Sequence, residues 1–294
     1  MNSGLLYAVL AFGLWGVFPL YFREVASVSP LEVVLHRSTW SLVFMALLLT
    51  VMRRWAWLPP LLKQPRVLKV FALSAGLVAC NWFVYVYSVQ VGAVVEASLG
   101  YFINPLFNVL LGVFVLHERL RRIQWAAVAL AAAGVLWLTW WAGRPPWIAL
   151  VLAGSFGLYG LIRKTAPLGA LEGLMLETLL MAPVVVPWLV WWSVWADGAL
   201  SKGDLVINAW LVMAGPLTAL PLLAFAAAAR RLKLATLGLV QYLGPTLQLV
   251  LGVWVFHEAF DLQRLLGFVL IWAALALYSG EALWRSRQEA GVQG

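Results

Sequence analysis

Ser98-Leu-Gly-Tyr-Phe-Ile-Asn-Pro-Leu-Phe-Asn-Val-Leu-Leu-Gly-Val-Phe-Val-Leu-His-Glu118 is an apolar run with a proline at its middle and an abrupt polar stop, and the chain contains it twice. The second copy is Gly238-Leu-Val-Gln-Tyr-Leu-Gly-Pro-Thr-Leu-Gln-Leu-Val-Leu-Gly-Val-Trp-Val-Phe-His-Glu258. Pro105 falls on Pro245, Gly112 on Gly252 and His117-Glu118 on His257-Glu258, at a constant offset (245 − 105 = 257 − 117 = 140). A fixed offset of this kind is the mark of an internal duplication. Leu31-Glu32 falls on Leu171-Glu172 at the same offset, and Phe12-Gly-Leu-Trp-Gly16 echoes Phe156-Gly-Leu-Tyr-Gly160 at 144.

Composition gives the solvent. Hydrophobic residues make up 64% of the chain and charged residues 11%, with a mean hydropathy of +0.91. A soluble domain carries roughly 25% charge, so most of this surface does not face water. Apolar runs approaching ~20 residues match the hydrocarbon core of a bilayer, and they must be helices because lipid satisfies no free backbone group. The fold class read from this is an all-α polytopic membrane protein. The net charge of +8 is explained by basic loops on a membrane surface, without nucleic acid. The single cysteine, Cys80, lies in an apolar run and reads as a core-filling side chain. The first run starts without a basic leader and reads as a retained span.

Ten spans are predicted. The first five are Gly4–Phe22, Glu32–Met52, Val67–Val91, Ala93–Leu116 and Gln124–Trp141. The second five are Trp147–Ile162, Glu172–Trp195, Val206–Ala229, Leu234–Phe256 and Leu262–Leu283, followed by a short charged tail. A basic loop carrying Trp55, Trp57 and Pro59-Pro60 precedes the third span. Of the 20 Lys and Arg, Arg23, Arg144, Lys202 and Arg264 lie on one side, Arg37 lies inside a span, and the rest lie on the side of the N-terminus. The positive-inside rule then sets both termini in the cytoplasm. Five spans per half is an odd number, so the halves, 1–143 and 144–294, form an inverted repeat. The flanks of the duplicated run agree with this. Arg119, Arg121 and Arg122 follow the first copy, whereas Ala259, Phe260 and Asp261 follow the second.

These residues resemble the drug/metabolite transporter superfamily, its EamA-like members and, among them, the RarD branch. The likeness rests on Glu32-Val-Val-Leu-His-Arg-Ser-Thr-Trp-Ser41, Asn81-Trp82, Glu96-Ala-Ser-Leu-Gly-Tyr-Phe-Ile-Asn-Pro-Leu-Phe-Asn108, Glu177-Thr-Leu-Leu-Met-Ala-Pro183, Pro221-Leu-Leu-Ala-Phe225 and Gln241-Tyr-Leu-Gly-Pro-Thr246. It implies ten helices, a bacterial inner membrane and movement of a small organic solute. The branch is labelled by a link to chloramphenicol sensitivity, which does not establish a physiological substrate.

Charged and amide side chains inside spans are costly and mark candidate sites. Arg37 reads as an anion-facing guanidinium in a water-accessible cavity, with snorkelling to the surface as the structural alternative. Glu177 sits at the equivalent place in the other half (177 − 37 = 140) and reads as a solute-amine site or a protonation switch, with an ion pair to Lys164 or another helix as the structural alternative. Glu96, Gly100, Asn104 and Asn108 recur every four residues as one polar stripe, with Gln241, Pro245 and Gln248 as its counterpart. Interhelical hydrogen bonding is the plainer account of such amides. Asn81 and Tyr85 share a face beside Trp82, and Tyr101, Tyr159 and Tyr242 are further aromatics with polar tips that suit an amphipathic solute. Candidate solute contacts are therefore Arg37, Asn81, Trp82, Tyr85, Tyr101, Asn104, Tyr159, Gln241 and Tyr242. Candidate coupling groups are Glu96 and Glu177. Pro105 and Pro245 are the expected helix breaks near the midplane.

His117 and His257 precede Glu at span ends, without the spacing of a zinc hydrolase, and read as interfacial caps; His36 lies beside Arg37. No metal site, cofactor or phosphate-binding loop is indicated. The expected partners are lipid, a small solute and a coupling proton, with the oligomeric state open. A secondary transporter working by alternating access fits best, carrying an amphipathic metabolite or drug, amino-acid-like or chloramphenicol-like. An intramembrane enzyme and a non-transporting regulator stay open as other classes.

Overall fold

The computed structural model describes residues 3–116, 121–196, 198–229, 231–232 and 240–292, and it is all-helical. The helices are α1 (Ser3–Glu24), α2 (Pro30–Val51), the short α3 (Leu58–Leu62), α4 (Pro65–Gln90), α5 (Val94–Leu116) and α6 (Arg122–Ala142). They continue as α7 (Trp147–Thr165), α8 (Ala170–Trp195), α9 (Leu205–Ala229), α10 (Leu243–Val250) and α11 (Leu262–Val292). Among the described residues, six helical stretches are long and apolar enough to cross a membrane, in α1, α2, α4, α6, α8 and α9, and shorter apolar stretches lie in α7, α10 with its extension, and α11.

Local chemistry sets the ends. Ser29 Oγ accepts the Glu32 amide at 3.2 Å while Pro30 opens α2, where its missing N–H costs nothing. Gly143 ends α6 in the left-handed conformation (φ 66°), and Pro145-Pro146 prevents continuation. Three departures from the sequence reading have similar local causes. The Leu58-Pro-Pro-Leu-Leu62 part of the basic loop is a helical turn, because its prolines sit in the first turn. The charged tail is not separate, since α11 runs on to Val292. The chain also changes pitch after α10. Leu251–Val255 is a π-turn, in which the Phe256 amide reaches Leu251 O at 2.9 Å.

Successive helices run up and down, so contacts between loops identify two ends. Arg54–Glu172 (2.8 Å), Arg121–Glu281 (2.9 Å) and Arg231 over Tyr7 (5.1 Å) gather at the end where α1 starts. At the opposite end Glu32 accepts the Ala199 amide (2.6 Å), Glu96 the Ile148 amide (3.0 Å) and Glu258 the Val94 and Val95 amides (2.5 and 2.9 Å). The helices pack in a reciprocal pattern. α1 lies on α9 as α7 lies on α4, α2 lies on α9 as α8 lies on α4, and α5 lies on α7 as α10 lies on α1. α6 and α11 pack against each other beside this group, around Ala127, Ala131, Ile271 and Ala274.

Small residues set the approach of the helices. A Cβ on Gly100 would stand 2.7 Å from Ala149 O and 3.0 Å from its Cα, so α5 and α7 meet at nearly backbone distance. Gly76, on the outer face of α4, has nothing within 4 Å. Gly100→Val should therefore lower the melting temperature of the detergent-solubilised protein by several degrees, overpacking costing about 1–3 kcal/mol. Gly76→Val, which has the same propensity cost without the clash, should move it far less. Equal melting temperatures for the two variants would contradict this packing.

Candidate functional site

A cavity of about 140 Å³ opens between α1, α2, α4, α5, α7, α8, α9 and α10. Eight aromatic side chains stand in its wall: Phe12, Trp15, Phe18, Trp82, Tyr85, Tyr101, Phe156 and Tyr159. On the side of the end opposite the start of α1, the packing is tight, with Phe22, Val25, Val86, Val94 and Leu152 almost completely buried.

Arg37 is the charged group in this wall. It points into the bundle, 5% exposed, so it does not snorkel. Its Nε donates to Thr218 Oγ1 at 2.9 Å, which ties α2 to α9. Its guanidinium carbon lies 4.3 Å from the Trp82 ring centre, with Phe18 at 5.6 Å and Phe22 at 5.7 Å. Ring faces attract a cation, yet they leave its N–H groups unspent. Among the described residues no carboxylate lies within salt-bridge distance of Arg37, and neither Nη meets an acceptor. A buried guanidinium held by one hydroxyl and three rings has donors left for an anion.

The amides are anchored on one side. Asn81 Nδ2 donates to Leu152 O (3.2 Å) and Ser155 Oγ (3.0 Å), and the Tyr101 hydroxyl donates to Asn81 Oδ1 at 3.4 Å. Asn104 Nδ2 donates to Ala153 O at 3.3 Å. Gln248 Nε2 donates to Trp15 O at 3.1 Å, while its Oε1 is buried without a partner among the described residues. The Tyr85 hydroxyl is likewise buried and unpartnered among them. Each amide thus makes the interhelical bond that the plainer reading expects, and it still lines the cavity.

Of the candidate residues, Arg37, Asn81, Trp82, Tyr85, Tyr101, Asn104, Tyr159, Gln241 and Pro245 meet at this cavity. The others do not. Tyr242 turns the other way and stacks on Phe102 (6.4 Å, 17°) in the α6–α11 core. Glu96 sits in the first turn of α5, at the end of the bundle, where it caps α7 with Arg144 at 3.9 Å. Glu177 lies behind the wall, fully buried, accepting from Ser74 Oγ (2.6 Å) and from the Tyr159 hydroxyl (3.3 Å), with Arg163 Nη1 at 3.8 Å. It is therefore not paired with Arg37. The side chains of Pro105 and Asn108, and the whole of His117-Glu118, lie outside the described residues. His36 is fully buried and accepts from Trp40 Nε1 at 3.2 Å. Cys80 is exposed on the outside of the bundle, not in its core, because α4 turns that face outward.

Sequence reasoning missed Thr218, Trp15, Phe12, Phe156 and Leu222, which carry no charge and so draw no notice in an apolar chain. The duplication offsets were the signal. Phe12 and Trp15 pair with Phe156 and Tyr159 (156 − 12 = 159 − 15 = 144), and all four line the cavity. So do Val78 with Thr218, Trp82 with Leu222, Tyr101 with Gln241 and Asn104 with Gly244 (218 − 78 = 222 − 82 = 241 − 101 = 244 − 104 = 140).

The sequence pattern of the EamA-like transporter family matches residues 2–140. An uncharacterized transporter of Pseudomonas aeruginosa is 46% identical over 97% of this chain and 96% of its own length. A protein RarD of Streptomyces exfoliatus is 44% identical over 98% and 91%. The protein RarD of Escherichia coli K12 is 40% identical over 98% and 97%. A solved crystal structure, 21% identical, superposes with a TM-score of 0.58 over 94% of this chain and 96% of that one, a likeness of fold alone.

The cavity predicts a labelling pattern. With Cys80→Ser as background, Tyr101→Cys, Thr218→Cys and Gln241→Cys should react with a small water-soluble thiol reagent in membrane vesicles. Ile271→Cys, in the α6–α11 core, should react at least tenfold more slowly. Uniform inertness at all four positions would mean that water does not reach this space.

Proposed function

This chain belongs to the EamA-like transporter family, in its RarD branch, and we propose that it moves a small amphipathic organic anion across the bacterial inner membrane by alternating access of two inverted five-helix halves. The observation that carries the reading is the cavity wall. Both halves contribute to it in offset-related pairs, and Arg37 lies in it with donors and no carboxylate among the described residues. The reciprocal packing of α1 and α2 on α9 and of α7 and α8 on α4 supports the inverted repeat of 1–143 and 144–294. The basic residues near the start of α1 support cytoplasmic termini. Tight packing beyond Arg37 supports reading this as the inward-facing arrangement.

In this reading Arg37 holds the anionic end of the solute through its Nη groups, a fork suited to a carboxylate. The aromatic wall takes the apolar body. Glu177 is the coupling group. Its bond from Tyr159, a wall residue, gives it a direct link to the cavity without exposing it. Loss or gain of a proton at Glu177 would change its hold on Arg163, and so the packing of α7 on α8. Glu96 has no part in this coupling, since its carboxylate serves the start of α7.

Flux of labelled organic anions in proteoliposomes tests the proposal. Arg37→Lys keeps the charge and loses the fork, so half-saturation should rise roughly tenfold, as expected for a charge-assisted hydrogen bond of ~1.5 kcal/mol. Glu177→Gln should remove the pH dependence of net flux while solute exchange persists. Unchanged pH dependence in Glu177→Gln sinks the coupling assignment. A best solute that is a cation without an anionic group sinks the site.

A further inference from the structure

Resting on that reading, we infer that the cavity selects a single-ring aromatic monoanion carrying a second, uncharged hydrogen-bond donor, and that Gln248 is the residue that reads the donor. Three observations carry this. The first is charge: Arg37 is a cation, and among the described residues no carboxylate lines the cavity to balance an ammonium. A zwitterion bound here would leave its positive end desolvated and unpaired, which is far costlier than leaving a neutral group so.

The second observation is the fixed amide of Gln248. Its Nε2 is committed to Trp15 O, so Oε1 is set as an acceptor, and it is buried with no donor among the described residues. Gln248 is only 3% exposed, so bulk water does not serve it freely. A buried acceptor in a binding wall favours a ligand that brings an O–H or N–H, and penalises the analogue that lacks one. The Tyr85 hydroxyl cannot fix this choice, because it can turn to donate or accept.

The third observation is size and lining. A cavity of about 140 Å³ walled by eight aromatic side chains is small. A dry apolar cavity of roughly that volume holds one benzene ring, so a single ring with two short polar substituents is the natural occupant.

A matched series of para-substituted benzoates separates the features: 4-methylbenzoate, 4-hydroxybenzoate and 4-(aminomethyl)benzoate. Binding is read on the full-length purified protein by calorimetry and by ligand-induced thermal shift. 4-Hydroxybenzoate should bind roughly three- to tenfold more tightly than 4-methylbenzoate, the range of one net hydrogen bond. 4-(Aminomethyl)benzoate, a zwitterion, should be the weakest of the three. Gln248→Met should remove the advantage of the hydroxyl, so that the hydroxy and methyl compounds bind alike. The wild-type series stands alone if that variant fails to fold. Equal binding of the hydroxy and methyl compounds, or tighter binding of the zwitterion, overturns this inference while leaving an anion site at Arg37 in place. If no member binds wild-type protein, or Arg37→Gln binds them all as well, the anion reading itself fails and this inference falls with it.

Discussion

Backbone hydrogen bonding without water is the constraint on which this molecule depends. In an apolar surrounding, each N–H and C=O must be paired within the chain, and the ends of helices are where pairing fails. Few charges are available, and several are spent there. Glu32, Glu96 and Glu258 each reach across to amides of another segment at one end of the bundle. At the other end, Glu172 and Glu281 take Arg54 and Arg121. An acid near a helix N-terminus also meets the favourable pole of the dipole. These carboxylates therefore hold segments together across the bundle, and they are removed from the list of groups free to meet a solute.

Against that background Arg37 is an exception. It is more buried than Glu96, Glu172 and Glu258, yet its Nη groups are unspent among the described residues. Trp82, Phe18 and Phe22 hold its charge electrostatically, and Thr218 fixes its direction. The same rings make its surroundings largely apolar. An anion arriving there meets donors in a surrounding of low dielectric, where each bond is stronger than it would be in water. Glu177 is the opposite case, with its oxygens engaged by Ser74, Tyr159 and Arg163.

Much of this was legible because a membrane chain hides little. The helices follow from apolar runs, and Arg37, Asn81, Tyr101 and Gln241 stand out as polar groups inside them. What failed was the step from helical stripe to chamber. Glu96, Gly100 and Asn104 share a face of α5, but a stripe climbs the helix, and Glu96 lies in its first turn at the level of the loops. Gly100 on the same stripe is consumed by contact with Ala149. Tyr242 failed for a related reason. It adjoins Gln241 at the start of α10, and one residue of rotation carries its ring from the cavity to Phe102. The π-turn at Leu251–Val255 was not readable, since Gly252 looks like any helical glycine. Its absent Cβ would lie 2.8 Å from Val95 Cγ2, so close packing of α10 on α5 accompanies the change of pitch.

The duplication explains the shape of the site, and its divergence explains the chemistry. Phe12 with Phe156 and Trp15 with Tyr159 build two matching walls, which by themselves would present a solute with two equivalent orientations. Equivalent orientations blur recognition, because no single pose gathers all the contacts. The substitutions between the halves remove that equivalence. Thr218 stands where the first half has Val78, and it supplies the oxygen that aims Arg37. Leu222 stands where the first half has Trp82, so the ring that cradles the cation exists on one side only. At the position equivalent to Arg37 the second half has Glu177, withdrawn behind Tyr159. On the proposed reading, a duplicated scaffold thus carries one cationic pole, and a solute with one charged end would have one way to lie in it.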